Sequence, residues 1–441
     1  MHIIQRNTVS FNVTSGRDMK SLQEELSTFC AGPLMERLEK TLDKISFARD
    51  LKIERLELEF DLNNPEDFEQ KLLALIEQNL ISEIAQNLPA TLPEGVVNEK
   101  LTDQFQAIKP VELLTHFLRY GSLPWWSKTE SLETLLSRVT EESTSTQTAE
   151  VFLFLVSNEA ALTRLIYQWQ PVESLTFILG LISSSMAIAI EISLKTNPEK
   201  EVLLTALSQS FKSLSQSPKI HEFGIFRSII HSLISRKILP APEAEQLISS
   251  FDNTPLEDKP LPPKSAEPES TPPPSDEEEW YVENAGLILL NPFIRGFLQE
   301  YEACDAEQII DPNLALYLLQ YLATGKEEAW ESELVLNKIL CGLPLDFVVK
   351  PPVKLPENLK AESEKLITAC IKYWPVMQGT SVEGFREAFL KRGGKISQQF
   401  VGYQLTVELK PYDMLLAEVP WNINIVGFNW MQKPLKINWT H

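Results

Sequence analysis

Glycine is scarce. Sixteen glycines in 441 residues leave little room for loops that cradle a phosphate on bare backbone. No Walker-type loop, no Gly-x-Gly-x-x-Gly and no Gly-x-Ser-x-Gly elbow is present. Thr324-Gly325-Lys326 has the ending of a phosphate loop, but Gln320 stands where that loop needs its first glycine. Cysteine is scarcer still. Cys30, Cys304, Cys341 and Cys370 show no Cys-x-x-Cys spacing, which excludes a disulfide scaffold and reads as buried free thiols. The five histidines (His2, His116, His221, His231, His441) are scattered and form no chelating pair, so no metal and no cofactor is expected. Positive charge is also short. Forty basic residues stand against 61 acidic ones, a formal net charge of −21. A nucleic-acid binder needs a basic face to neutralise phosphate, and a polybasic membrane-surface protein needs one too; both are excluded.

The first residues, Met1 to Arg6, lack the apolar core and small-residue cleavage site of a secretion signal, so a cytoplasmic protein is expected. One stretch, 174–190, carries no charge over its whole length, the short limit for a membrane span. It holds five hydroxyl residues (Ser174, Thr176, Ser183, Ser184, Ser185) and is closed by Glu173 and Glu191 without a basic anchor. A helix apolar all round also suits a protein core. The stretch is read as a buried helix, with no stable membrane insertion.

The clearest boundary is the segment 252–279. Eight prolines fall between Pro255 and Pro274, and the segment carries nine acids against two bases. Such a composition does not bury enough apolar surface to offset ordering, so a disordered or extended linker is expected. Before it, Val9, Phe11 and Val13 alternate as a strand, and apolar residues at three- and four-residue steps predict a helix over about 17–44. Leu56, Leu58 and Phe60 alternate with acids as a second strand, and Asn64-Pro65-Glu66-Asp67 opens a second helix. This is a small β-α-β-α module over 1–89. A loop-like piece covers 89–108, a short helix 111–120, and some six helices fill 131–251, so that 90–251 forms a helical bundle or solenoid-like region. The C-terminal domain, 280–441, is helical over 293–302, 312–323, 331–341, 358–374 and 381–392. Strands follow at 403–409, 421–428 and 435–439, with a helical turn at 412–416. The expected fold class is α+β, predominantly helical, ending in a short sheet.

No catalytic constellation emerges; an enzyme with an unrecognised site around Asn284, Lys338, Cys341 and Asp413 is the weakest alternative. What stands out is aromatic and proline punctuation: Pro124-Trp125-Trp126, Trp374-Pro375, Lys410-Pro411-Tyr412-Asp413 and Pro420-Trp421. Large rings are the usual anchors of protein interfaces. Either one of Trp125 and Trp126 reaches the surface, or both pack between subdomains.

These segments, taken in order, carry a resemblance. The opening His2-Ile3-Ile4-Gln5, the run Ile53-Glu54-Arg55-Leu56-Glu57-Leu58 and Gly121-Ser122-Leu123-Pro124-Trp125-Trp126 resemble the contractile injection system tape measure family. So do Asn284-Ala285-Gly286, Asn291-Pro292-Phe293, Leu319 to Gly325, Glu333 to Lys338 and Cys341-Gly342-Leu343-Pro344. Trp374-Pro375, Thr380 to Arg386, Lys410 to Asp413 and Pro420-Trp421 complete the series. The variable helical middle and the linker fall outside the resemblance. It implies a structural protein of a phage-tail-like machine, acting in tube assembly and length determination. The implied partners are tube, baseplate or sheath subunits, and no catalytic residue transfers. The alternative within this class is an assembly chaperone or a baseplate or tube adaptor that does not itself measure length. The candidate interaction or motif residues are Pro124, Trp125, Trp126, Asn284, Gly286, Cys341, Gly342, Pro344, Trp374, Lys410, Pro411, Tyr412, Asp413, Pro420 and Trp421.

Overall fold

The computed structural model describes residues 28–30, 32–42, 51–53, 71–76, 105–107, 109–124, 127, 132–194, 196–215, 222–252, 279–351, 353–399 and 402–439. Outside them lie the expected strand at Val9, Phe11 and Val13, the strand at Leu56, Leu58 and Phe60, most of the helix opened by Asn64, residues 253–278 of the linker, and both Trp125 and Trp126. The chain divides into two compact units, Met1–Lys109 and Pro110–His441.

In the first unit, helix α1 (Pro33–Leu42) begins after a turn at Gly32, so the run read as one helix over 17–44 restarts there. Proline lacks the N–H that a helix interior would need but is suited to its first turn. Phe29 and Leu34 pack with Leu72 and Ile76 from the helical residues 71–76 in a small apolar core. Strand β1 (Leu51–Ile53) pairs antiparallel with β2 (Phe105–Ala107). The second of these corrects the loop reading of 89–108.

The second unit begins with helices whose boundaries follow local signals. After α2 (Pro110–Tyr120) and α3 (Leu132–Glu142), Thr144 and Gln147 form a reciprocal capping box on α4 (Ser145–Ser157). Asn158 closes that helix and caps α5 (Glu159–Gln168), accepting from the Ala161 N–H at 3.0 Å. Pro171 starts α6 (Pro171–Gly180). Then the expected long apolar helix breaks. Leu181 to Ser183 form a turn and a separate helix, α7 (Ser184–Ser193), follows. Serine competes with the helix backbone for hydrogen bonds and favours such a start. Each half is ten residues, about 15 Å long. Among the described residues no helix is long and apolar enough to cross a membrane. Helices α8 (Lys200–Ser215), α9 (Glu222–Ser235) and α10 (Ala241–Asp252) complete the region, so among the described residues eight helices stand where some six were expected.

Beyond 278 the chain re-enters as β3 (Glu279–Val282), a 3-10 stretch Ala285–Leu290, α11 (Asn291–Glu300) and α12 (Pro312–Thr324). Helix α12 has each expected signal: an Asp311 N-cap, Pro312 in the first turn and a left-handed Gly325 at its end. A 3-10 turn Glu331–Leu334 leads into α13 (Val335–Leu340), followed by α14 (Leu359–Tyr373). Helix α15 (Val382–Phe385) widens into a π turn, Arg386–Leu390. Strands β4 (Gly394–Gln399) and β5 (Gly402–Val407), a 3-10 stretch Pro411–Glu418, β6 (Ile425–Val426) and β7 (Leu435–Asn438) end the chain. The sheet order is β3-β4-β5-β7-β6, antiparallel except for the parallel pair β5 and β7. The molecule is therefore mostly helical, with one small five-strand mixed sheet near the C terminus. Two strands of this sheet were not expected, β3 and β4, and the strand read over 421–428 shrinks to two residues. Strand β4 begins directly after Gly393. A side chain at Gly394 would come within 2.6 Å of the Ala285 Cβ. Here glycine serves close packing of the sheet on the 3-10 stretch.

Candidate interaction residues and the buried ion cluster

Most of the candidate residues turn inward. Asn284 is buried, and its side-chain amide donates to Gln320 Oε1 at 2.9 Å and Asn337 Oδ1 at 2.8 Å. Asn337 in turn donates to the Leu316 carbonyl at 2.9 Å. This buried amide network ties the entry of the C-terminal region to α12 and α13. Two glycines mark close backbone approaches: a Cβ on Gly286 would lie 1.5 Å from the Phe389 carbonyl oxygen. One on Gly342, at φ +66°, would lie 2.4 Å from that of Trp430. Cys341 is buried, and burial pushes its thiol far above the ordinary range, as a structural thiol. Trp374 is fully buried, edge-on to Phe385 and Phe389 at 6.1 and 5.1 Å.

Lys410-Pro411-Tyr412-Asp413 closes a second cluster. Arg392 donates to both oxygens of the buried Asp413 at 2.8 Å, and to the Glu408 carbonyl. The Lys410 backbone N–H and the Trp439 indole also donate to Asp413, at 2.9 and 3.0 Å. Burial pushes the Asp413 carboxyl up, but these donors outweigh it and hold the group below the usual carboxylate range. The Arg392 guanidinium lies 5.5 Å from the Tyr412 ring centroid and 5.1 Å from that of Trp439. The Trp421 indole donates to the Leu289 carbonyl at 3.0 Å, and its half-buried ring meets Phe293. Pro124 is buried, and its carbonyl accepts from Ser127. Only Pro344, Pro411, Tyr412 and Pro420 among the described candidates are exposed.

The residues that join the helical region to the C-terminal region were not singled out as a group. Glu331, Arg164 and Lys338 are all fully buried. Arg164 Nε lies 3.0 Å from each Glu331 oxygen, and Lys338 Nζ lies 2.7 Å from Oε1. The other Arg164 donors meet the carbonyls of Leu118, at 2.6 Å, and Asp346, at 2.7 Å. Lys338 also donates to the Leu345 carbonyl at 2.8 Å. Val349 N–H donates to Glu331 Oε2, and Gln168 bridges the Glu331 N–H and the Val349 carbonyl. Burial pushes the Lys338 ammonium below the ordinary lysine value, against the pull of Glu331. A side chain on Gly121, at φ +69°, would run into Glu331. That accounts for the glycine opening the Gly121-Ser122-Leu123-Pro124 segment. Alongside, Trp330 meets Trp169 at 5.4 Å and packs on the helical core. A charge inside an otherwise apolar run, Arg164 among Leu162, Leu165 and Ile166, was the available signal.

Lys338 is thus paired with Glu331, Asn284 with Gln320 and Asn337, and Asp413 with Arg392. They do not converge on one cleft. Among the described residues no group of three or more histidine, cysteine, aspartate or glutamate side chains could hold a metal ion.

Comparison with known proteins adds one finding. A family model described as "Contractile injection system tape measure protein" matches residues 1–439. No curated protein and no solved structure matches.

Proposed function

The chain belongs to the contractile injection system tape measure protein family, and from that premise we propose that it acts in its folded form, docking on tube, baseplate or sheath subunits. Membership implies a role in tube assembly and length determination, association with injection-system components and incorporation into the particle. The family is structural, which implies a protein that is not an enzyme.

The observation that carries the proposal is the buried ion cluster. A ruler works by contour length, and residues 110–441 drawn out as one helix would span about 500 Å. A compact unit of that size has a radius of gyration of about 20 Å. To unravel it, the chain would have to expose Arg164, Glu331 and Lys338 together with two apolar cores. Asp252 and Glu279, which flank the proline-rich acidic segment, belong to the same unit. In this reading the adaptor role is favoured over measurement by these residues. On the same reading the chain is organised as a module over 1–89, the region 90–251, the linker 252–279 and the domain 280–441. The packing of Phe29 and Leu34 on Leu72 and Ile76 supports a module there, while the β1–β2 pair draws residues 105–107 to it as well.

A density map of the assembled particle tests this. Globular density for 110–441 is expected. A thin strand along the tube lumen accounting for those residues would overturn the proposal. Deleting 256–275 should leave particle length unchanged by electron microscopy. A shortening of about 30 Å, as helix, to 66 Å, as extended chain, would show that the segment measures. A pull-down from an assembling lysate that recovers no tube, sheath or baseplate component would remove the docking role.

A further inference from the structure

Motif segments from distant parts of the C-terminal region meet on one surface. Three rings touch in series there, Tyr373 to Phe293 at 6.3 Å and Phe293 to Trp421 at 5.7 Å between centroids. Tyr373 is 66% exposed, and Phe293 and Trp421 are half-buried. Directly after Tyr373 and Trp374, the 3-10 turn Pro375–Met377 packs against the 3-10 stretch Pro411–Glu418. Each of these two leaves an apolar side chain in the open, Val376 at 43% and Met414 at 65% exposure. Pro420, beside Trp421, is exposed as well. The surface holds little of the chain's acid. Within 372–378 and 410–421 the one exposed acid is Glu418, against the exposed Lys372, since Asp413 is buried on Arg392.

We propose that this surface is the docking site of the chain's own proline-rich segment, residues 255–274. That segment supplies what exposed rings take up: eight prolines, Leu256 and Leu261, and a Pro-x-x-Pro run at Pro260-Leu261-Pro262-Pro263. Proline's fixed φ favours an extended chain, which loses little freedom on lying across rings. The ends set the reach. The chain leaves the described residues at Asp252 and re-enters at Glu279, and both belong to the unit that carries the surface. Glu279 and Phe293 are fourteen residues apart, so at most about 50 Å separates them. The 26 residues between the two ends span about 80 Å at polyproline pitch. A tethered segment presents itself at an effective concentration on the order of 1 mM. A contact with a dissociation constant of about 0.1 mM is then about 90% occupied. A free segment of another subunit lacks that advantage, and a second copy is held off by the net charge of −21 on each chain. The segment's own acids, Glu257, Asp258, Glu267 and Glu269, come against Lys372 and little opposing acid. The inference goes beyond the assembly role and does not rest on it.

A benzophenone side chain placed at position 373 of the full chain tests it. Irradiated at low micromolar protein, it is expected to join residues 253–278 of the same molecule, read by mass spectrometry of the linked peptides. Links only to a second copy, links only to other parts of the chain, or no links would overturn the proposal. A fluorescent peptide of residues 255–274 gives a second readout by anisotropy. It is expected to bind a chain lacking 255–274 at least tenfold more tightly than the full chain, whose own segment competes for the surface. Tyr373→Ser with Met414→Ser in the shortened chain is expected to weaken the peptide at least tenfold. Both positions are about two-thirds exposed, so the variant keeps its core, and an unchanged melting midpoint checks this. A peptide with alanine in place of each proline keeps the charge and is expected to bind at least fivefold more weakly. Equal binding to the full and shortened chains, or none to the shortened chain, would overturn the proposal. So would undiminished binding to the serine variant, or equal binding of the alanine peptide, which would show attraction by charge alone.

Discussion

Glu331→Gln removes one negative charge from a site that holds two cations and keeps nearly the same volume. Arg164 and Lys338 would then face each other with no carboxylate between them, in an interior where all three side chains are buried. Breaking a buried pair by removing one partner costs about 3–5 kcal/mol. That is a large share of the roughly 5–15 kcal/mol that separates a folded domain from its unfolded chain. For a cooperative unit of the size of 110–441, with about 2.1 cal/mol/K of unfolding entropy per residue, the loss lowers the melting midpoint by about 4–7 °C. The variant has a relief route. Lys338 already sits below the ordinary lysine value, and losing Glu331 moves it further down. Deprotonating an ordinary lysine at pH 7 costs about 5 kcal/mol, which caps the penalty, and the cap falls as pH rises. The native state then binds fewer protons than the unfolded one between the depressed native value and the ordinary one, so stability rises with pH across that window. Scanning calorimetry of the full chain from pH 6 to 9 should show the variant's deficit shrinking toward the alkaline end. Adding Lys338→Met should recover part of the midpoint at pH 7. A variant within 1 °C of the parent at pH 6, with no narrowing toward pH 9, would refute the assignment of this cluster as the joint.

Gly286→Ala should cost more than about 3 kcal/mol or abolish soluble expression, because its Cβ would sit 1.5 Å from the Phe389 carbonyl oxygen; a soluble variant with an unchanged midpoint would contradict this packing. Asp413→Asn should destabilise by about 3 kcal/mol at pH 7, leaving Arg392 buried without its carboxylate. Since the native Asp413 carboxyl is held below the ordinary range, its contribution is present above about pH 4 and is lost as pH falls through the native value, so the melting difference between parent and variant should close in acid. Cys341 and Cys370 should resist thiol reagents at pH 8 until the chain unfolds, since burial pushes Cys341 far up and Cys370 to about 12; labelling of either at native rates would refute their burial.

Element ends in the second unit were largely legible, because each is set by neighbours in sequence. Thr144 with Gln147, Asn158, Pro171, Asp311-Pro312 and Gly325 all act within a few residues of the position they mark. Strands β3 and β4 were not legible. Gly-Lys-Ile-Ser-Gln-Gln has little strand character of its own, and it becomes a strand because β3 and β5 supply hydrogen-bond partners on both sides. The motif residues were visible as a pattern, but the direction of their side chains was not. Trp374 and Asp413, two of the candidate interaction or motif residues, lie in the interior, where a ring cluster and four donors receive them.

The amino-acid sequence by itself determined the absence of motif-based chemistry, the acidic charge, the family and the local stops and starts of the helices. These depend on residue type and short spacing. Only the tertiary structure decided which charges meet. Arg164 and Glu331 lie 167 residues apart, and nothing local to either marks the other as its partner. Their attraction takes effect only once folding has removed the water between them, and that removal is a property of the packed chain as a whole.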